Sequence, residues 1–356
     1  MDPFYTKWRT AGDVIDKVQV SGRNRTAIVT GSNSGIGYQT ALALCRTGFH
    51  VICCCRSKEK SLSTVQKIQS TIQKQQNEAN EASNTGVCTT GVVDLGDLDS
   101  VRDFVTSLNT RPINILVNNA GIMQLPNFSP SKQGYEMQFH VNFLGPWLLT
   151  ELLKPNLKLA ATNDPTNTLS RVVNVASSAH YSCTFSKIPD ITQIGNPEKA
   201  KNNYTDGWNE YATSKMYQIL HARSIAAKHN DKIVAFSLHP GVIATKLSRN
   251  AKCCTFTRLL YCWPKSLYCC CFCCCPGCLR TNVEQGAASS VRACIDPALV
   301  DYSGSYLGED TQVKEPRLPP SFDFDGLEVR LYELCGLEKS TCSATTATGA
   351  EKKESM

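Results

Sequence analysis

The stretch at residues 25–57, RTAIVTGSNSGIGYQTALALCRTGFHVICCCRS, constrains the fold more than any other part of the chain. A short apolar run at 27–30 leads into glycines at 31, 35 and 37. Residues 36–47 then carry apolar side chains at helical spacing, Gly48 ends the helix, and 50–55 is apolar again. The order is strand, tight turn, helix, strand.

The same alternation continues down the chain. Further short apolar runs lie at 87–93, 113–117, 171–176 and 233–238, and helical patterns at 97–108, 135–159 and 210–229 separate them. Residues 57–80 are polar and rich in Gln and Lys, as in an exposed helix. Strands alternating with helices form βαβ units and hence a parallel sheet covered on both faces. Right-handed crossovers make that sheet doubly wound, so the expected fold class is α/β: one doubly wound parallel sheet with helices on both faces, a Rossmann fold.

Ligands of such sheets sit beyond the carboxyl ends of the strands. In this chain those ends carry TGSNSGIG (30–37), Arg56, Asp94 with Leu95, NNAG (118–121), Ser177 with Ser178, and HPG (239–241). Small, polar or glycine residues gather at one end of every run, which packing alone does not require.

The glycine turn lets the backbone approach a diphosphate at a helix N-terminus, where unpaired N–H groups and the helix dipole favour anions. Its spacing, G-x-x-x-G-x-G, differs from G-x-G-x-x-G, and a turn that needs glycine for shape alone is the plain alternative. After the second strand an NAD site places an acidic residue; here Arg56 stands there with Lys58 close by. A cation suits a 2′-phosphate and so NADP over NAD; a solvated surface arginine is the alternative. Tyr211 and Lys215 are four residues apart, on one helical face, where an ammonium would lower the phenol's pKa and make it a usable acid or base; taken alone, an ordinary pair on an exposed helix is the plainer reading. Ser177 follows a strand, where its hydroxyl could polarise a carbonyl. Asn142 lies inside an apolar helical stretch and needs partners there. Pro240, Gly241 and Thr245 read equally well as a turn and cap.

The ordered set TGSNSGIG, Asp94-Leu95, NNAG, Asn142, VNVASS, YATSK and HPGVIAT resembles the short-chain dehydrogenases/reductases over residues 24–310, and most resembles their retinol-dehydrogenase-like group. The resemblance implies a catalytic set of Tyr211 (proton transfer), Lys215 (cofactor ribose and phenol), Ser177 (substrate oxygen) and Asn142 (a relay water). It implies cofactor contacts from Gly31, Ser32, Asn33, Ser34, Gly35, Ile36 and Gly37, from Arg56, Asp94, Leu95, Asn118, Ala120 and Gly121, and from Tyr211, Lys215, Pro240, Gly241 and Thr245. The function implied is NADP(H)-dependent hydride transfer with a hydrophobic alcohol or carbonyl, retinoid-, steroid- or polyprenol-like. A non-catalytic cofactor-binding scaffold or redox sensor on the same fold is the alternative. Family members often form dimers, so a homodimer is a further expectation.

Composition bounds the rest. The chain has 356 residues, 42% hydrophobic and 19% charged, with a net charge of +6 and no Lys/Arg stripe, which argues against nucleic acid as a partner. Its start, MDPFYTKWRTAGDVIDK, has no apolar signal core, so the expected location is cytoplasmic or peripheral on an intracellular membrane. Ten of the 19 cysteines fall within 253–278. Their adjacent triplets lack zinc-site pair spacing, so no metal is expected. Thiols among Leu, Trp, Tyr and Phe fit S-acylation or membrane contact, ahead of a plain apolar lid. The expected organisation is an extension (1–24), one domain (25–338) with the cysteine-rich lid at 253–280, and a disordered tail (339–356). The long segment between Ser177 and Tyr211 is expected to form an excursion near the substrate mouth.

Overall fold

A computed structural model describes residues 9–79, 85–188, 190–243, 245, 247 and 282–338. Its first element, α1 (Ala11–Val18), is held by a reciprocal cap between Thr10 and Asp13. Then follow β1 (Thr26–Thr30), α2 (Gly35–Arg46), β2 (His50–Cys55), α3 (Lys58–Ala79), β3 (Cys88–Val92), α4 (Leu98–Leu108) and β4 (Ile115–Asn118). A short α5 (Met137–Phe139) runs through a π turn, His140–Leu144, into α6 (Gly145–Asn163). Beyond β5 (Ser170–Val175) lie 3-10 turns and α7 (Pro197–Asn203), then α8 (Trp208–His229), β6 (Ile233–Leu238) and α9 (Val283–Ile295). The last elements are β7 (Tyr306–Leu307), β8 (Val313–Lys314) and α10 (Phe324–Leu334).

The strands form one sheet in the order β3-β2-β1-β4-β5-β6-β7-β8. All pairings are parallel except β7 with β8, which closes the edge as an antiparallel hairpin. Side chains alternate between the two faces. Ile28, Ile52, Leu116, Val172 and Ala235 join a core with α4, α6, α8 and α10. Ala27, Val29, Val51, Val117, Val173 and Phe236 join the other core, with α1, α2 and α9. Burial on both faces is why β1, β2, β4, β5 and β6 read as unbroken apolar runs.

The doubly wound parallel sheet expected from the sequence is the sheet observed. Two elements differ. The long helix expected at 135–159 is broken by the π turn, and the leading residues contain α1, whose Ala11 and Val14 are core. The terminal helix α10 buries Leu327 and Leu331 completely, stacks Tyr332 edge-on against Trp147 at 5.1 Å, and sets Glu328 between Ser224 and Lys228 of α8. The cysteine-rich segment at 253–280 and the tail at 339–356 lie outside the described residues. Among the described residues no helix is long and apolar enough to cross a membrane, and no cluster of His, Cys, Asp or Glu could hold a metal.

Candidate active site

A cleft of about 1350 Å³ runs along the carboxyl ends of β1 to β6. The loops after these strands and the start of α8 line it. At one end, Gly31 (φ +66) and Gly35 (φ +58) adopt left-handed backbone that favours glycine. A Cβ at Gly37 would stand 2.3 Å from Asn119 Nδ2 and 2.5 Å from the Gly31 carbonyl oxygen. Ser34 caps α2 by position but gives it no side-chain hydrogen bond, so the first turn presents main-chain N–H groups to the cleft.

The turn is bolted to its neighbour. Thr30 Oγ1 donates to the Val117 carbonyl (3.2 Å) and accepts from the N–H groups of Asn119 and Ala120, each at 3.0 Å. Asn119 Nδ2 donates to the Thr30 carbonyl at 2.7 Å. Asn33, Ser34, Gly35, Ile36, Ala120 and Gly121 all face the cleft. Two expected contacts do not. The Ser32 hydroxyl is fully buried and donates to the Cys54 carbonyl, so it fastens the turn to β2. Asn118 is buried in the sheet, where its Nδ2 donates to Thr150 Oγ1 (3.1 Å) and Asn174 Oδ1 (2.9 Å). These side-chain bonds tie β4 to β5 and to α6 next to the cleft.

After β2, Arg56 is exposed at the rim, and the second cation on the cleft is Lys60, not Lys58. Asp94 and Leu95 line the next wall, with Asp94 Oδ1 accepting from the Gly96 N–H at 2.9 Å. Pro240, Gly241 and Thr245 close over the turn; a Cβ at Gly35 would touch Thr245 Cγ2 at 3.1 Å.

At the other end α8 brings Tyr211 and Lys215 to the cleft opposite Ser177. Ser177 is fixed as the cap of a 3-10 turn, its Oγ accepting from the Ala179 N–H at 3.1 Å. Burial pushes the Tyr211 phenol up to about 12, and its hydrogen bond with the Ser177 hydroxyl pulls the other way. Lys215 Nζ lies 5.7 Å from the Tyr211 ring centroid and donates to the Val175 carbonyl (2.8 Å) and Gln218 Oε1 (3.0 Å). Burial lowers its pKa to about 7. The two residues stand together as the sequence spacing implied, and burial raises the phenol's pKa rather than lowering it.

Asn142 is fully buried in the π turn and does not line the cleft. Its Nδ2 donates to the Ile122 carbonyl (2.9 Å) and Ser214 Oγ (3.0 Å), and its Oδ1 accepts from the Ile122 N–H (2.8 Å). It therefore shapes the wall next to Gly121 and Lys215. Sequence reading missed the apolar mouth: Met123, Leu125, Leu247 and Trp208, whose ring sits 6.0 Å from that of Tyr211. The available signal was Trp208 standing one helical turn ahead of Tyr211.

The arrangement defines a class: a Rossmann-type α/β fold with its cleft at the carboxyl edge of the sheet. Residues 25–185 match the family model for short chain dehydrogenases. Human retinol dehydrogenase 13 is 33% identical across 68% of this chain and 65% of its own length, so the chain spans just under two thirds of that relative. The chloroplastic short-chain dehydrogenase TIC 32 A of Brassica napus is 30% identical across 86% of each chain. The NADPH-bound carbonyl reductase from chicken fatty liver shares the fold, with a TM-score of 0.53 and 19% identity over 83% of this chain and 100% of that one. The chain belongs to the short-chain dehydrogenase family.

Proposed function

We propose that this chain is an NADP(H)-dependent oxidoreductase that transfers a hydride between the nicotinamide and a lipophilic alcohol or carbonyl. The observation that carries the reading is the convergence of Tyr211, Ser177 and Lys215 on one end of a cleft whose other end is the glycine turn. The residues fit a dinucleotide. A Cβ would fill the cradle at Gly31 and Gly37, and the uncapped turn of α2 offers donors for a diphosphate. The cleft exceeds the roughly 300–1,000 Å³ of an ordinary small-molecule pocket, leaving room for cofactor and substrate together.

When bound, the nicotinamide supplies the hydride chemistry. The protein's part is orientation and proton handling. Tyr211, with its pKa of about 12, holds its proton at neutral pH and can give it to a carbonyl oxygen being reduced. Ser177 donates to the same oxygen and stabilises charge that develops there. Lys215 has one donor to spare for a ribose hydroxyl beside Gly121. Arg56 and Lys60 offer two cations where a 2′-phosphate would lie, which supports NADP over NAD. Met123, Leu125, Leu247 and Trp208 give the substrate end an apolar wall, and the relative named for retinol, a lipophilic alcohol, agrees with it.

NADPH consumption with a panel of lipophilic aldehydes tests the reading. Tyr211→Phe should lose roughly 10²–10⁴-fold in turnover, the usual contribution of a positioned acid. Equal turnover in variant and wild type would remove the catalytic assignment and leave a cofactor-binding scaffold.

A further inference from the structure

We propose that Gln218 is the positioning residue for Lys215: its side-chain amide bridges the amine to the main chain of the π turn. The inference rests on the catalytic reading above and names a residue that reading does not need. Gln218 is one turn beyond Lys215 on α8 and 2% exposed. Its Oε1 accepts from Lys215 Nζ at 3.0 Å, and its Nε2 donates to the Asn142 carbonyl at 2.7 Å.

The sequence explains why that carbonyl accepts a side chain. In a helix, the Asn142 oxygen would take the N–H four residues on, but residue 146 is proline and has none. The π turn at His140–Leu144 and this missing donor leave the oxygen to Gln218. The far side is pinned as well. The Gln218 carbonyl accepts from Asn174 Nδ2 at 3.0 Å, and Asn174 Oδ1 accepts from Asn118 Nδ2 at 2.9 Å. A ladder of amides from β4 through β5 thus pins the α8 backbone at Gln218, and the bond from Nε2 to the Asn142 carbonyl holds the rotamer that aims Oε1 at the amine. Asn118, expected at the cofactor, is the foot of this ladder.

The consequence is electrostatic. An ammonium has three donors. The Val175 carbonyl and Gln218 Oε1 take two, leaving the third toward Gly121 and Tyr211. Two fixed acceptors favour the charged form against the burial that disfavours it. Facing Lys215 are the Val175 carbonyl and Ser177 from the end of β5, Gly121 from the loop after β4, and Asn142 from the π turn. Among the described residues none of these is charged, and the titratable group that faces it is Tyr211 on its own helix.

The test follows the Lys215 titration by ¹³C-lysine NMR, with the signal assigned by its loss in Lys215→Met, in wild type, Gln218→Met and Gln218→Glu. Removing the acceptor in Gln218→Met should lower the lysine pKa by about one unit; placing a carboxylate there in Gln218→Glu should raise it by about one unit or more. The alkaline limb of turnover, where the amine loses its charge, should shift with it in each variant. A merely structural role would reduce activity without moving either titration. Unmoved titrations in both variants would overturn the proposal, and Gln218→Glu, of unchanged size, decides the matter if Gln218→Met does not fold. Failure of the catalytic reading is seen separately, as an active Tyr211→Phe.

Discussion

Replacing Gly37 by alanine should open the nucleotide turn. The added methyl would stand 2.3 Å from Asn119 Nδ2, 2.5 Å from the Gly31 oxygen and 3.0 Å from the Gly31 carbonyl carbon, and two of these atoms are main chain. Asn119 can move only by giving up its bonds to the Thr30 and Gly31 carbonyls. Alanine is about 1 kcal/mol the better helix former, overpacking costs about 1–3 kcal/mol, and two lost hydrogen bonds cost about 0.5–1.5 kcal/mol each, a net loss of about 1–5 kcal/mol. Urea unfolding measures that loss. Because the strain sits in the cradle, NADPH affinity should fall by about tenfold for each 1.4 kcal/mol expressed there, read by quenching of tryptophan fluorescence. Gly12→Ala is the control: its new methyl would meet Glu284 and Thr10 at 3.5 Å and 3.6 Å, ordinary contact distances. A Gly37→Ala protein with wild-type urea midpoint and NADPH affinity would refute the argument.

Two further outcomes are expected. Arg56→Glu should turn the ratio of kcat/KM with NADPH to that with NADH toward NADH, and Lys60→Glu should deepen the change; an unaltered ratio would show that neither cation meets a 2′-phosphate. Lys215 titrates near 7 in the fold and near 10.5 when exposed, so between these values the unfolded chain binds the extra proton and stability rises with pH. The cost of burying the charge is fully present below 7 and relieved by about 10.5. Lys215→Met should flatten this rise in the urea midpoint relative to wild type.

Much of the architecture was readable because β1, β2, β4, β5 and β6 are covered on both faces, which writes each as an apolar run, whereas β3, at the sheet edge, exposes Thr90 and Val92. His50–Cys55 and Ile233–Leu238 were bounded to the residue. β7 and β8 are two residues each, too short to leave a periodicity, and their place at the sheet edge comes from tertiary packing. At the site, Tyr211 with Lys215 and the strand-end Ser177 were visible because their placement follows from helical and strand geometry. Side-chain direction within a turn was not. The resemblance put Ser32 and Asn118 near the ligand, whereas their side chains are engaged by hydrogen bonds to Cys54 and Asn174 within the fold. Likewise α3 begins at Lys58, and its winding brings Lys60 rather than Lys58 to the cleft. Gln218 was hidden inside a helix whose buried face reads as core; Pro146, four residues after Asn142, was the clue to an acceptor awaiting it.

α10 has a consequence for how the chain reaches this state. It is the last described element in chain order, yet Leu327 and Leu331 complete the core shared by α4, α6 and α8. During synthesis one core waits for α9, and the other, on the opposite face of the sheet, stays open until α10 arrives. Trp147 and its apolar neighbours wait uncovered in that interval, the stage at which a nascent chain is most exposed to aggregation and most in need of a chaperone.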